Sequence, residues 1–348
     1  MIGALRNLVN WPKEKVFPCT LSERVGRCRC RVFPSTGGNV SVAYSISAAG
    51  EEPKPSRSWR PPSAFWFLLP AASILLVVFV GPLLYAFHAS LTAWSLVQPG
   101  SDQDYVGLDN YRDVLTSKEY WRAVSTTLSY AISAVSIELL LGTGFALLLN
   151  LDFFFRSLFR SVMVIPMVIT PAVVGIFWRL LYEEQAGIFN YYLSNLGLPK
   201  MPWLGLAMSL PSIIIMDVWQ TTPFFMLIIL AGLQSIDENV IAAARVDGAS
   251  AVQLFRYITL PFLVPYMLIA ASFRIIAAMG DFDKIYLLTA GGPGDVTTTI
   301  SIFAYKTGFN AFDIGRTAAI AWLSVALVLT VSSPLLWHLF KATAAERH

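Results

Sequence analysis

Six apolar runs, each close to the length a helix needs to cross a bilayer, limit what this chain can fold into more than any other feature. A hydrocarbon core about 30 Å thick is spanned by about 20 apolar residues in helical form. Runs of that kind fall at roughly Ala64–His88, Val124–Leu149, Phe159–Tyr182, Leu206–Leu233, Pro261–Gly280 and Thr317–Phe340. With no water in the lipid interior, every backbone N–H and C=O must be paired within its own segment, so the runs predict an all-α membrane protein of six transmembrane helices. The 348 residues are 55% hydrophobic and only 14% charged, where a soluble domain carries about a quarter charged residues. Pro70, Pro82, Pro166, Pro171, Pro211, Pro223, Pro265 and Pro334 lie inside the runs. Kinks of this sort are tolerated where neighbouring helices satisfy the freed carbonyls, which argues for a packed bundle rather than a single anchor.

Lys and Arg in short connections set topology. Arg156 and Arg160 lie in the short link LDFFFRSLFR, and the N-terminal tail and Lys341 and Arg347 add to the same side. Both termini and the second and fourth connections are therefore expected in the cytoplasm. The outer connections are longer and carry Asp102, Asp104, Asp109 and Asp113, then YYLSNLGLPKMPW, then LLTAGGPGDVTTT. Residues 1–60 are polar, rich in Pro, Ser and Arg, and lack the apolar core of a secretory signal, so a disordered cytoplasmic tail is expected there. Residues 1–39 are expected to be absent from the native product, with an alternative start at Val40 or Val42. Cys19, Cys28 and Cys30 are the three cysteines and read as unpaired thiols, without the paired spacing of a metal site.

The fourth connection has more local design than a linker needs. Ser235 with Glu238 reads as a capping box that opens a helix near Ile236, Ala242, Ala243 and Ala244 follow, and Gly248 suits a left-handed C-terminal cap. Ser250 with Gln253 repeats the capping pattern, opening a second helix through Val252, Phe255 and Ile258 that Leu260 and Pro261 should close. Arg245 and Arg256 are its only basic residues, too few for a phosphate footprint, so no nucleic-acid partner is expected. A hairpin over residues 236–259 that is smooth at Ala243 and Ala249 and apolar at Phe255 fits the groove of a partner. Packing on its own helix ends uses the same spacing, and these two readings stay on equal terms.

Charges inside a membrane are costly, so each is a functional candidate. Asp217 lies mid-run with Trp219, Gln220, Thr221 and Thr222, ahead of Pro223; the group offers hydrogen bonds and an aromatic face to a polyol, or interhelical bonds to neighbours. Glu138 and Arg274 have opposite sign and comparable apolar settings, which suggests a pair. Asp281 and Asp283 stand at the end of the fifth run, before a Gly-Pro turn, and with the Asp217 group are candidates for the substrate pathway. No phosphate-binding GxxxxGK pattern followed by Ser or Thr occurs, and three scattered His residues suggest no catalytic or metal constellation, so the chain is not expected to be an enzyme.

AAARVDGAS followed by ITLP resembles the EAA motif of permease subunits in binding-protein-dependent ABC importers. FVGPLLYAFHASLTAW, VGLDNYRDVL, GTGFALLLN, FRSVMVIP, DVWQTTPFFMLIILAGLQSI and LLTAGGPGDVTTT look like the maltose-type carbohydrate permeases, so the resemblance runs from about Pro61 to the end. It implies a type I ABC importer permease fold in the bacterial inner membrane, multi-pass. It also implies that the hairpin is a coupling helix seated on a cytoplasmic ATPase, with Glu238, Ala242, Ala243, Asp247, Gly248, Ala249 and Phe255 at the joint. The motif's Glu falls on Ala242, and Glu238 one turn earlier is its substitute. The implied partners are the lipid bilayer, a second permease subunit, two copies of an ABC ATPase that bind the ATP and Mg, and an extracytoplasmic sugar-binding protein. No cofactor is implied in this chain. The implied cargo is a sugar, with a di- or oligosaccharide favoured over a monosaccharide; a polyol phosphate would call for basic residues in the path, of which Arg274 alone is firmly intramembrane. An ion-coupled secondary transporter or channel is the rival class, for which no internal repeat is evident.

Overall fold

The structure is a computed structural model that describes residues 29–33, 41–45 and 63–345. The chain divides into two units, Met1–Ala72 and Ser73–His348. In the first, β1 (Arg29–Phe33) pairs antiparallel with β2 (Ser41–Ser45), Val32 opposite Val42 and Cys30 opposite Tyr44. Ten residues of the expected tail thus pair as two strands. The reason is local: RCRVF and SVAYS are rich in β-branched and aromatic residues, and a Gly-Gly pair lies in the link between them. The rest of the expected tail, with Cys19, Cys28 and the start-site expectation, lies outside the described residues.

The six runs become helices with two qualifications. The first is α1 (Ser63–Leu75), a π turn at Leu76–Val80 and α2 (Gly81–Ser90). After α3 (Asp109–Thr116), the second span is α4 (Lys118–Asn150), whose Ser117 cap accepts from Tyr120 N. The third is not one rod: α5 (Arg156–Val168) and α6 (Pro171–Leu181) are bent by 97°. Thr170 precedes Pro171 and is forced to extended ψ (133°), which breaks the helix there. Among the described residues, five helices are long and apolar enough to cross a membrane, or six if the bent pair is one broken span. After α7 (Ile188–Asn195), α8 (Ser209–Gln234) is the fourth span.

The segment after α8 also differs from expectation. Ser235 does not open a helix; its hydroxyl donates back to Gly232 O (2.7 Å), and Asp237 caps α9 (Glu238–Val246) by accepting from Asn239 N (2.9 Å). The second capping box is present, with Ser250 Oγ accepting from Gln253 N and Gln253 Oε1 from Ser250 N. From there α10 (Ala251–Leu254), a π turn at Phe255–Thr259 and α11 (Leu260–Gly280) run on as one rod, so Leu260 and Pro261 do not close a helix. The π turns at 76–80 and 255–259 end just before Pro82 and Pro261, where the widened turn accommodates a missing N–H. The remaining helices are α12 (Asp283–Thr289), α13 (Ile300–Tyr305) and α14 (Ile314–Ala345).

In the second unit α4 packs along α8, with α11 against both and α12 against α6. Tyr130, Phe225, Met226, Ile229, Leu230, Leu263 and Ile285 are fully buried between them. The contact of α6 with α12 is close: a Cβ on Gly175 would lie 2.7 Å from Lys284 O. Gly144 in α4 has nothing within 4 Å of such a Cβ. Thermal unfolding of the purified protein in detergent should show Gly175→Ala destabilised by roughly 1–3 kcal/mol through overpacking. Gly144→Ala should be neutral or stabilised by up to about 1 kcal/mol.

Candidate functional site

The polar residues of four helices converge on one buried cluster. Arg274 in α11 donates from Nε to Glu138 Oε2 of α4 (3.0 Å) and from a terminal nitrogen to Glu138 Oε1 (3.3 Å), which is the pair expected from sequence. The same guanidinium reaches Asp217 Oδ2 of α8 and Asp281 Oδ2 (3.3 Å). Lys284 in α12 pairs with Asp217 Oδ1 and with Asp281 Oδ2 (2.9 Å). The Tyr130 hydroxyl lies 2.6 Å from Asp217 Oδ2 and 2.8 Å from Asp281 Oδ2, and Thr221 donates to Asp217 Oδ1 (3.1 Å). Glu138 and Asp217 are fully buried, and Arg274 and Lys284 nearly so. An ionised group in such a setting persists only when paired and hydrogen-bonded, a condition this arrangement meets for all of them.

The expected pathway residues separate here. Asp217, Thr221 and Asp281 belong to the cluster. Gln220 lies beside it, its Nε2 donating to Ile169 O (3.1 Å), the carbonyl freed at the break between α5 and α6. Thr222 instead bonds its own helix at Val218 O (2.6 Å), and Trp219 joins an aromatic group with Trp178 (centroids 5.5 Å apart) that continues to Tyr182, Phe189 and Trp203. Asp283 is exposed at the start of α12 and its carboxylate takes no part in the ion pairs of the cluster. Lys284 and Tyr130 went unread in the sequence. Lys284 had a signal, its i,i+3 spacing from Asp281; Tyr130 had none, since a tyrosine in an apolar run reads as packing.

Beside the cluster opens a cleft of about 630 Å³. One end is polar, with Gln220, Thr221, Arg274, Asp281 and Lys284, and its walls are apolar, with Met167, Phe224, Ile228 and Phe273 among them. The turn after α12 is tied down by threonines: Thr297 donates to Gly292 O (2.8 Å) and Thr298 to Gly291 O (3.1 Å). Beside it Lys306 pairs with Asp295 (2.6 Å), and this hydrogen bond holds the Asp295 carboxyl below its ordinary range.

At the joint between α9 and α10, Gly248 has φ +82°, Ala249 N reaches Ala244 O (3.0 Å) and Gly248 N reaches Arg245 O (3.1 Å). This is the left-handed Schellman cap, which satisfies the last carbonyls of α9. Ala244 is buried, whereas Glu238, Ala242, Ala243 and Asp247 are exposed and Ala249 and Phe255 are half-buried. Val246 (88% exposed), Val252 (74%) and Tyr257 (70%) leave the joint with an uncovered apolar surface.

A multi-span bundle with a buried ion cluster, a cleft beside it and a capped joint at one end has the architecture of a membrane transport subunit. Residues 138–341 match the family described as the inner membrane component of binding-protein-dependent transport systems, and the chain belongs to that family. A probable ABC transporter permease protein of Sinorhizobium fredii is 58% identical over 309 residues, covering 89% of this chain and all of the relative. The trehalose/maltose transport system permease protein of Thermococcus litoralis is 39% identical, over 76% of this chain and 90% of its own. Among solved structures, a chain of a bacterial ABC transporter that imports the acidic polysaccharide alginate superimposes with a TM-score of 0.68 at 22% identity, over 80% of this chain and 95% of its own, and so shares the fold.

Removing one partner of a buried pair strands the other. Arg274→Met should therefore cost roughly 3–5 kcal/mol in thermal unfolding, and the double variant Glu138→Gln with Arg274→Met should recover part of the loss.

Proposed function

We propose that this chain is the permease subunit of an ATP-driven ABC importer that passes a sugar, a di- or oligosaccharide, delivered by an extracytoplasmic binding protein. The observation that carries the reading is the cleft whose polar end is built from Gln220, Thr221, Arg274, Asp281 and Lys284. Its volume lies within the range usual for small-molecule sites, and it combines apolar walls with a few convergent polar groups. The similarity to the trehalose/maltose permease and to a trehalose transport system permease protein of Mycobacterium tuberculosis, 34% identical over 77% of this chain, supports a sugar as cargo.

In this reading the bent pair α5–α6 is one broken span, both termini are cytoplasmic, and the exposed joint around Gly248 docks on one of two ATPase copies, which bind ATP and Mg. A second permease subunit completes the path, and the threonine-tied turn after α12 faces the binding protein. Closure of the ATPase pair would shift the joint and, with it, the helices that line the cleft. Glu238 stands on the exposed side of α9, where the motif's Glu is replaced by Ala242. Gly248 has open space around it, so a substitution acts through its backbone rather than through a clash.

Gly248→Val puts a β-branched residue at positive φ. In proteoliposomes holding the complete transporter, we expect intact assembly and ATP hydrolysis but at least about tenfold lower sugar uptake. Uptake at the unsubstituted rate would refute the coupling role, and a purified complex without an ATPase would refute the importer reading.

A further inference from the structure

The cluster beside the cleft is unbalanced. Three carboxyl groups, Glu138, Asp217 and Asp281, meet two cations, Arg274 and Lys284, so carboxyls outnumber cations by one. Both cations are committed to carboxylates, Arg274 to all three and Lys284 to two. Glu138 and Asp217 have both oxygens engaged. Asp281 does not: its contacts all fall on Oδ2, its Oδ1 has no partner among the described residues, and its side chain, 21% exposed, lines the cleft.

Gln220 supplies a second open acceptor. It is 5% exposed, and because a carbonyl only accepts, the bond to Ile169 O fixes its amide with nitrogen toward the helix break. Its Oε1 is left buried and without a partner while the residue lines the cleft. Asp281 Oδ1 is open at the cleft and Gln220 Oε1 lies buried beside it without a partner, so both await donors, in a setting where carboxyl groups outnumber cations. Hydroxyl groups satisfy both conditions. A carboxylate or phosphate satisfies neither, and it would meet repulsion poorly screened by the apolar walls. Scarcity of cations argued against a phosphate sugar in the sequence; the structure adds Lys284 and at the same time occupies both cations.

We propose that Gln220 and Asp281 make the cleft selective for hydroxyl-rich glycans without negative charge, and that Asp281 is the residue that excludes uronate and phosphate sugars. This rests on the reading of the chain as a glycan permease. The test uses the complete transporter in lipid nanodiscs without its binding protein, so that delivery does not mask the cleft's own preference. It is titrated with a neutral glucose disaccharide and with the same disaccharide carrying a carboxylate at one C6. The neutral sugar is expected to bind at least about tenfold more tightly than the uronate. Asp281→Asn should reduce that ratio to below about threefold by strengthening the uronate, and Gln220→Leu should weaken the neutral sugar by about tenfold. Glu138→Gln removes the excess carboxyl without altering the cleft wall and should narrow the ratio in the same direction, which guards against a local disturbance at Asp281. Equal binding of the two sugars, or a ratio unmoved by both charge variants, overturns the selectivity while the glycan reading stands. Binding of neither sugar, together with no ATP-driven uptake of any sugar, overturns both.

Discussion

Burying four ionisable side chains against a half-buried fifth imposes a condition on everything around them: each must keep its partners or become intolerable. Because the partners come from α4, α8, α11 and α12, the condition fixes the relative register of those four helices. Apolar packing alone would not, since lipid tails are as apolar as Leu and the helices gain little from hiding apolar faces from them. The guanidinium of Arg274 is the common member, tied to three carboxylates on three different elements. Its planar fork can hold several acceptors at once, which a lysine at this position would do less well. The cleft inherits its polar end from the same condition, because the groups that lock the helices also line it.

The architecture was legible to the extent that it follows from length and hydropathy. All six apolar runs are helical, the Gly248 cap and the Ser250 box form as the residue types demand, and Glu138 and Arg274 meet as opposite charges in apolar runs should. What escaped the sequence were matters of geometry in three dimensions. Nothing local to Lys284 says that α12 folds back over α6 and places the amine on Asp217. Ser235 satisfied the pattern of an N-cap yet spends its hydroxyl on the helix behind it, because Asp237 lies closer to the new helix start. The third run met the length criterion but contains Thr170-Pro171, whose effect on the preceding residue outweighs continuity of hydropathy.

The sites expected to line a path were partly reassigned by the same geometry. Side chains at 217, 220 and 221 fall on the side of α8 that meets the cluster or the cleft, while Thr222 turns to its own backbone and Trp219 joins the aromatic group. A run of consecutive polar residues on a helix must distribute over its circumference, about 100° per residue, so no stretch like DVWQTT can present all its members to one cavity. Asp281 and Asp283 divide in the same way, since the helix start between them directs one inward and leaves the other exposed.

The rod from Ala251 to Gly280 has thirty residues, which at 1.5 Å per residue is about 45 Å. It starts at the joint capped by Ser250 and carries Arg274 near its far end. The rod thus joins the capped joint to the ion cluster directly, with its hydrogen-bond ladder interrupted where proline supplies no N–H. Compliance along that route is concentrated where the ladder is weakest, at the π turn of residues 255–259 and at Pro261 and Pro265. The stiffness of this one strut bears on how much of any displacement at one end would reach the other.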